Sequence, residues 1–215
     1  MTHPFYEQAT TEQDALLGHT IPDFIVEGTN NFEIHFEKLR GYQVIIFFYP
    51  QNHLPGVTQL VKDLKAQYNA FKAIKTCIFG VTNEAIAANQ TFKDNLDLPF
   101  QLIADTDHQL AQWFDTETPA NMNTQSKPIL EPSSILINEH GKICKTWRAP
   151  EIKGHVNELI EAAHKLSQGL HDTSSAEKES NQIDLEDDAP FKTPVIPFTK
   201  EQEKLTEDLK DLFEA

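Results

Sequence analysis

The most constraining stretch in this 215-residue sequence is Val44-Ile45-Ile46-Phe47-Phe48-Tyr49, closed off by Gly41 before it and Pro50 after it. Successive side chains of a strand point to opposite faces, so a strand with one wet face alternates polar and apolar residues. This run does not alternate. It therefore reads as a strand covered on both faces, the usual condition in a parallel sheet flanked by helices. Its six residues are also far too few to span a bilayer.

The period changes directly afterwards. Val57, Leu60, Val61, Leu64, Tyr68 and Phe71 recur at helical spacing, which predicts one helix over residues 55–73. Pro55 suits its start, where a missing N–H would have no partner anyway. Thr76 to Val81 is strand-like again, a helical stretch follows from about Asn83 to Asn95, and Leu98 to Ile103 is another short extended run. Asp105 reads as the N-cap of a helix carrying Leu110, Trp113 and Phe114. Residues 115–132 read as a loop. Upstream, Phe24 to Val26 and Phe32 to Phe36 form a hairpin about a Gly/Asn turn. Downstream, Ser134 to Asn138 and Lys142 to Trp147 form another. A last helix is expected near 153–167, ended by Gly169. The expected class is α/β, a mixed central sheet with helices on both faces.

Composition bounds partners and setting. A net charge of −15 repels phosphates and anionic lipid, which sets nucleic acid and membrane surfaces aside. Two cysteines, Cys77 and Cys144, give no disulfide framework, and suit a reducing compartment. The first residues carry no basic start or apolar stretch, so the expectation is a cytoplasmic protein. Residues 1–16 read as a flexible lead-in and 17–168 as the folded domain. Residues 169–198 are acidic and proline-spotted, with too few apolar residues to offset their ordering entropy, so disorder is expected there. Residues 199–215 regain a helical pattern through Leu205, Leu209, Leu212 and Phe213. That stretch reads either as an amphipathic helix for a partner or as a solvated tail.

Few residues carry a chemical signature. Cys77 and Cys144 sit in apolar strand patterns, where a thiol behaves as a small hydrophobe. His53 stands in the loop before the first helix, but no second ligand occurs at metal-binding spacing. Asp105 and Asp107 precede a helix and read as caps rather than a catalytic pair. No glycine-rich phosphate loop is present, and no cofactor is expected.

Taken together, Ile21-Pro22-Asp23-Phe24, Leu39-Arg40-Gly41, Phe47-Phe48-Tyr49-Pro50, Pro55-Gly56, Leu98-Pro99-Phe100, Asp105-Thr106-Asp107-His108 and Ser134 to Lys142 resemble the peroxiredoxins of the bacterioferritin-comigratory (PrxQ) group. The resemblance runs from about Leu17 to Leu166 and implies a thioredoxin-like fold. It also implies a reactive stretch Pro-x-x-x-Thr-x-x-Cys, with the thiol at the first turn of a helix. There the helix dipole and an arginine favour thiolate, the attacking form. This chain reads Pro50-Gln51-Asn52-His53-Leu54-Pro55-Gly56-Val57. Pro50 is kept, Leu54 stands where the family has Thr, and Val57 where it has the peroxidatic Cys. Lys62 occupies the position of a resolving Cys, and Pro132 falls where the family's Arg belongs.

The resemblance thus implies a redoxin scaffold without peroxidase chemistry, since valine neither ionises nor forms a sulfenic acid. Three readings stand at this point. One is a non-catalytic module binding a protein or small ligand, as monomer or homodimer. Another is a residual thiol oxidoreductase using Cys77 or Cys144. The last is an adaptor acting through residues 199–215.

Overall fold

A computed structural model describes residues 14–118 and 128–169. The segments read as acidic linker and terminal helix lie outside the described residues, apart from Gly169, as does most of the lead-in.

Seven strands form one mixed sheet in the order β2-β1-β5-β4-β3-β8-β9. The hairpin β1 (Ile25–Gly28) and β2 (Phe32–His35) lies at one edge. The middle holds β3 (Gln43–Phe48), β4 (Thr76–Thr82) and β5 (Gln101–Ala104), mutually parallel. The hairpin β8 (Ser133–Ile137) and β9 (Ile143–Arg148) closes the other side, with β8 antiparallel to β3. Every residue of β3 is buried, as its unbroken apolar run requires.

Alternation along β3 divides the core. Ile45, Phe47 and Tyr49 join a cluster with residues of α1 (Pro55–Ala66), α2 (Tyr68–Ala73), α3 (Ile86–Leu96) and α5 (Ile152–Ser167). Phe48, one residue out of step, meets Phe114, which follows α4 (Gln109–Trp113), at 5.4 Å. Phe24 adds to that second layer against Trp113 and Phe36. No helix among the described residues is long and apolar enough to cross a membrane.

Three expectations need correction. The single helix expected over 55–73 is broken at Gln67, which takes φ −99° and ψ 5°. No Gly or Pro marks the break. Packing decides it, because Tyr68 lies against Phe100 at 6.4 Å and Phe71 is fully buried. The loop over 115–132 contains a two-stranded ribbon, β6 (Glu117–Thr118) with β7 (Ile129–Leu130). Finally, Asp105 caps α4 without being its boundary residue. That place belongs to His108, in a left-handed conformation at φ 62°. The Asp105 carboxylate reaches forward to accept from the N–H groups of Leu110 and Ala111, at 2.9 and 2.8 Å.

Lys93 on α3 is buried although charged. Its ammonium donates to the carbonyls of Leu98 (2.5 Å) and Phe100 (2.7 Å), holding the turn between α3 and β5. Burial pushes its pKa below the usual lysine value, with Asp94 and Asp97 opposing. Lys93→Met keeps the apolar stem but strands both carbonyls. A loss of about 2–3 kcal/mol in urea unfolding is expected on that ground. A loss below about 0.5 kcal/mol would mean that water replaces the ammonium at no cost.

Candidate functional site

Strands β3, β4 and β5 end at one edge of the sheet, and chain direction switches beside β3, where β8 runs antiparallel. Loops converge at such an edge, and α/β folds commonly bind ligands there. The loop Pro50 to Leu54 leaves β3 at this point and feeds α1. Leu54 is the extended residue preceding the helix, and its carbonyl accepts from Thr58 N–H at 2.8 Å. It is 38% exposed. Pro55 opens the helix, and Val57, in its first turn, is buried in the main cluster.

Pro132 is brought to the same edge by strand register. It precedes Ser133, and Ser133 pairs with Phe48 at the end of β3. The four positions singled out from sequence, Pro50, Leu54, Val57 and Pro132, are therefore gathered at one place in the fold. Lys62, one turn and a half further along α1, is exposed.

The chemistry available there is narrow. A proline, a leucine and a valine offer no side-chain donor, acceptor or nucleophile. Only two arginines occur in the chain, Arg40 and Arg148. Arg40 precedes β3, at the far end of the sheet, and donates to Ile21 O. Arg148 pairs with Ser133 across β8 and β9, which puts it next to Pro132 along the chain register. Its side chain turns the other way. Trp147 lies on the main cluster, so Arg148 faces the opposite layer. There it meets Asp14 at 2.8 Å and the carbonyls of Phe114 and Asp115 at 3.0 and 3.1 Å. Neither guanidinium serves the first turn of α1.

A polar network that the sequence reading missed fixes this loop. Asn52 is buried. Its backbone N–H donates to Glu84 Oε2 at 2.6 Å, and its side-chain amide donates to Asn89 Oδ1 at 2.8 Å. The Tyr49 hydroxyl donates to Asn52 Oδ1 at 3.1 Å, and Asn89 donates onward to Ile103 O at 3.2 Å. Burial and then the Glu84 charge push the Tyr49 phenol well above its ordinary range, so it remains a neutral donor. The available sequence signal was Asn89 at helical spacing from Phe92 and Lys93, a polar residue on the buried stripe of α3.

The remaining candidates stand apart from this site or carry no activating group. His53 has φ 62°, is exposed, and sets its ring edge against Phe92 at 4.9 Å. Asp107 is exposed and accepts from Gln109 N–H at 3.3 Å. Cys77 is buried on β4, and desolvation pushes its thiol up to about 12. Cys144 is half-buried on β9, where desolvation again raises the pKa, partly opposed by the Asn138 backbone and Lys142. Two strands separate β4 from β9. At about 4.8 Å per strand the two cysteines lie roughly 14 Å apart, beyond the reach of a disulfide.

The AhpC/TSA family model matches residues 17–146. Among curated relatives, Peroxiredoxin Bcp of Bacillus subtilis is 28% identical over 153 residues, covering 71% of this chain and 97% of its own. A putative peroxiredoxin Bcp of Coxiella burnetii is 25% identical, covering 67% and 95%. Among solved structures, Peroxiredoxin Q of Xanthomonas campestris superposes with a TM-score of 0.66 at 24% identity, covering 72% and 99%.

Proposed function

The chain belongs to the AhpC/TSA family, and from that premise we propose that it is a redoxin-fold binding module without the thiol peroxidase chemistry of its relatives. The observation that carries this reading is the first turn of α1. It presents Val57 in place of a thiol, Leu54 in place of a hydroxyl, and has no guanidinium beside it. Peroxide reduction needs a thiolate to attack the O–O bond, and a cation with hydrogen-bond donors to stabilise both thiolate and departing oxygen. Loss of all three kinds of group together is not repaired by a single neighbour. What remains is an apolar turn beside a rigidly held loop, at the sheet edge where α/β folds take ligands. That composition suits an apolar side chain of a protein or a small apolar molecule.

Purified full-length protein with dithiothreitol or thioredoxin is expected to leave hydrogen peroxide at the rate of the reductant alone. Turnover at a rate typical of active peroxiredoxins overturns the reading.

The competing reading, a thiol oxidoreductase using Cys77 or Cys144, makes a different prediction. Both thiols are held above the ordinary cysteine range, so little thiolate exists near pH 7.5. In the native protein Cys77 is expected to stay unlabelled by iodoacetamide until denaturant is added, and Cys144 to react no faster than free cysteine. Mass spectrometry of the labelled peptides reads this directly. Rapid native labelling of either thiol would favour the oxidoreductase.

A further inference from the structure

The end of β3 remote from Leu54 and Val57 holds a second group of polar residues. Gln43 opens that strand and is 6% exposed. It shares the alternation of Ile45, Phe47 and Tyr49, so its side chain lies on the sheet face covered by α2 and α5. Its Oε1 is buried and accepts no hydrogen bond among the described residues. Buried polar atoms are nearly always paired, because an unpaired one forfeits its hydration without return. The rest of β3 is apolar, so this one orphan calls for a partner.

A cavity of about 270 Å³ lies against it, with Gly41, Gln43, Ile74, Lys75, Glu139 and Ser167 in its lining. Two helices end at its wall. Helix α2 stops at Ala73, with Ile74 as its C-cap, and α5 stops at Ser167. The last carbonyls of a helix lack intrahelical partners and form its negative end. Gly41 takes φ 92°, and a Cβ there would have no atom within 4 Å, so the space on that side is open. The last torsion of a glutamine is soft, and a small turn brings Oε1 onto the wall that Gln43 already forms.

Opposite charges reach this cavity from the two sides of β3. The Gln43 N–H donates to Lys75 O at 3.0 Å, which places Lys75 on the β4 side. The Gly41 N–H donates to Glu139 O at 2.8 Å, which places Glu139 on the β8 side. Both residues are exposed. Lys75 forms no ion pair among the described residues, and Glu139 meets only the exposed His140, at 3.5 Å. The two charges therefore do not neutralise each other. With neighbouring strands about 4.8 Å apart, their attachment points stand roughly 10 Å apart across β3. A lone anion would face Glu139 and two helix ends of its own sign, and a lone cation would leave Lys75 unanswered. A molecule carrying both charges, joined by a short carbon chain, answers every group.

We propose that this cavity binds a small zwitterion of the ω-amino acid type, its ammonium on Glu139, Gln43 Oε1 and the helix-end carbonyls, and its carboxylate on Lys75. The site lies at the far end of the sheet from the first turn of α1, so the inference is independent of what that turn binds.

The isotope-labelled full chain is titrated with γ-aminobutyrate, butylamine and butyrate at one ionic strength near neutral pH, and followed by nitrogen–proton correlation spectra. Backbone signals of residues 41–43, 73–75, 139 and 167, with the Gln43 side-chain amide, are expected to shift together and saturably with γ-aminobutyrate. Each one-charge probe gives up one charge-assisted contact and is expected to bind at least about tenfold more weakly. Glu139→Gln, Lys75→Gln and Gln43→Met are each expected to weaken γ-aminobutyrate binding by at least about tenfold, on the same ground. Absence of a saturable shift overturns the proposal. So does butylamine or butyrate binding as tightly as γ-aminobutyrate, or unchanged affinity in any of the three variants. Should Gln43→Met not fold, the two exposed variants decide the matter by themselves.

Discussion

Placing sulfur alone at position 57 is expected to give a cysteine and not a peroxidase. Val57→Cys should consume hydrogen peroxide about as slowly as an ordinary thiol. The triple variant Leu54→Thr, Val57→Cys, Pro132→Arg should be faster by at least about a hundredfold, the effect of one well-placed charge-stabilising donor. The helix start survives in Val57→Cys, and its dipole lowers a thiol pKa to some extent. The single variant still lacks a hydroxyl to orient peroxide and a guanidinium to stabilise charge, and no arginine of the chain is free to move in. Arg148 is bonded to Asp14 and to two carbonyls on the opposite face of the sheet. Stopped-flow measurement of the second-order rate constant decides the matter, with circular dichroism confirming that both variants fold. A single variant as fast as the triple would show that the scaffold activates sulfur by itself. The proposed absence of peroxidase chemistry would then rest on one residue.

The second large effect concerns stability. Asn89→Ala is expected to lower unfolding free energy by about 3 kcal/mol, because it strands the Asn52 amide and the Ile103 carbonyl in the interior at about 1–3 kcal/mol each. Asn89 is fully buried, and its two hydrogen bonds join α3, β5 and the loop after β3. Tyr49→Phe, which removes only the donor to Asn52, should cost about 1 kcal/mol. Thr91→Ala, on the exposed side of the same helix, should cost under about 0.5 kcal/mol. Urea denaturation of the three variants separates these cases. Equal losses for Asn89→Ala and Thr91→Ala would mean that water satisfies the network. The loop would then be less firmly held than its hydrogen bonds indicate.

Some of this was legible in the residues. The Val44–Tyr49 run had to be a strand covered on both faces, and β3 is that strand. The helical stripe after Pro55 placed Val57 at a helix start, and Pro55 is the first residue of α1. The hairpins at either end of the domain followed from short apolar runs about turn residues. The break at Gln67 was not legible. Breaking a helix without Gly or Pro is a decision of packing, here the seating of Tyr68 and Phe71. The ribbon of β6 and β7 was missed for a similar reason, since two-residue strands are too short to show a period.

The candidate site divides in the same way. Residue identity alone determined that no thiol stands at position 57, since no fold converts valine into a nucleophile. Periodicity determined which side chains face inward, since it follows from backbone geometry. Only the tertiary structure decided what lies opposite each of them. It set the guanidinium of Arg148 away from Pro132, laid Ile152 on Gly56, and joined Asn52 to Asn89 and Ser134 to His155. Those contacts link residues far apart in the chain, and their partners are chosen by sheet order and helix docking, which local sequence does not encode.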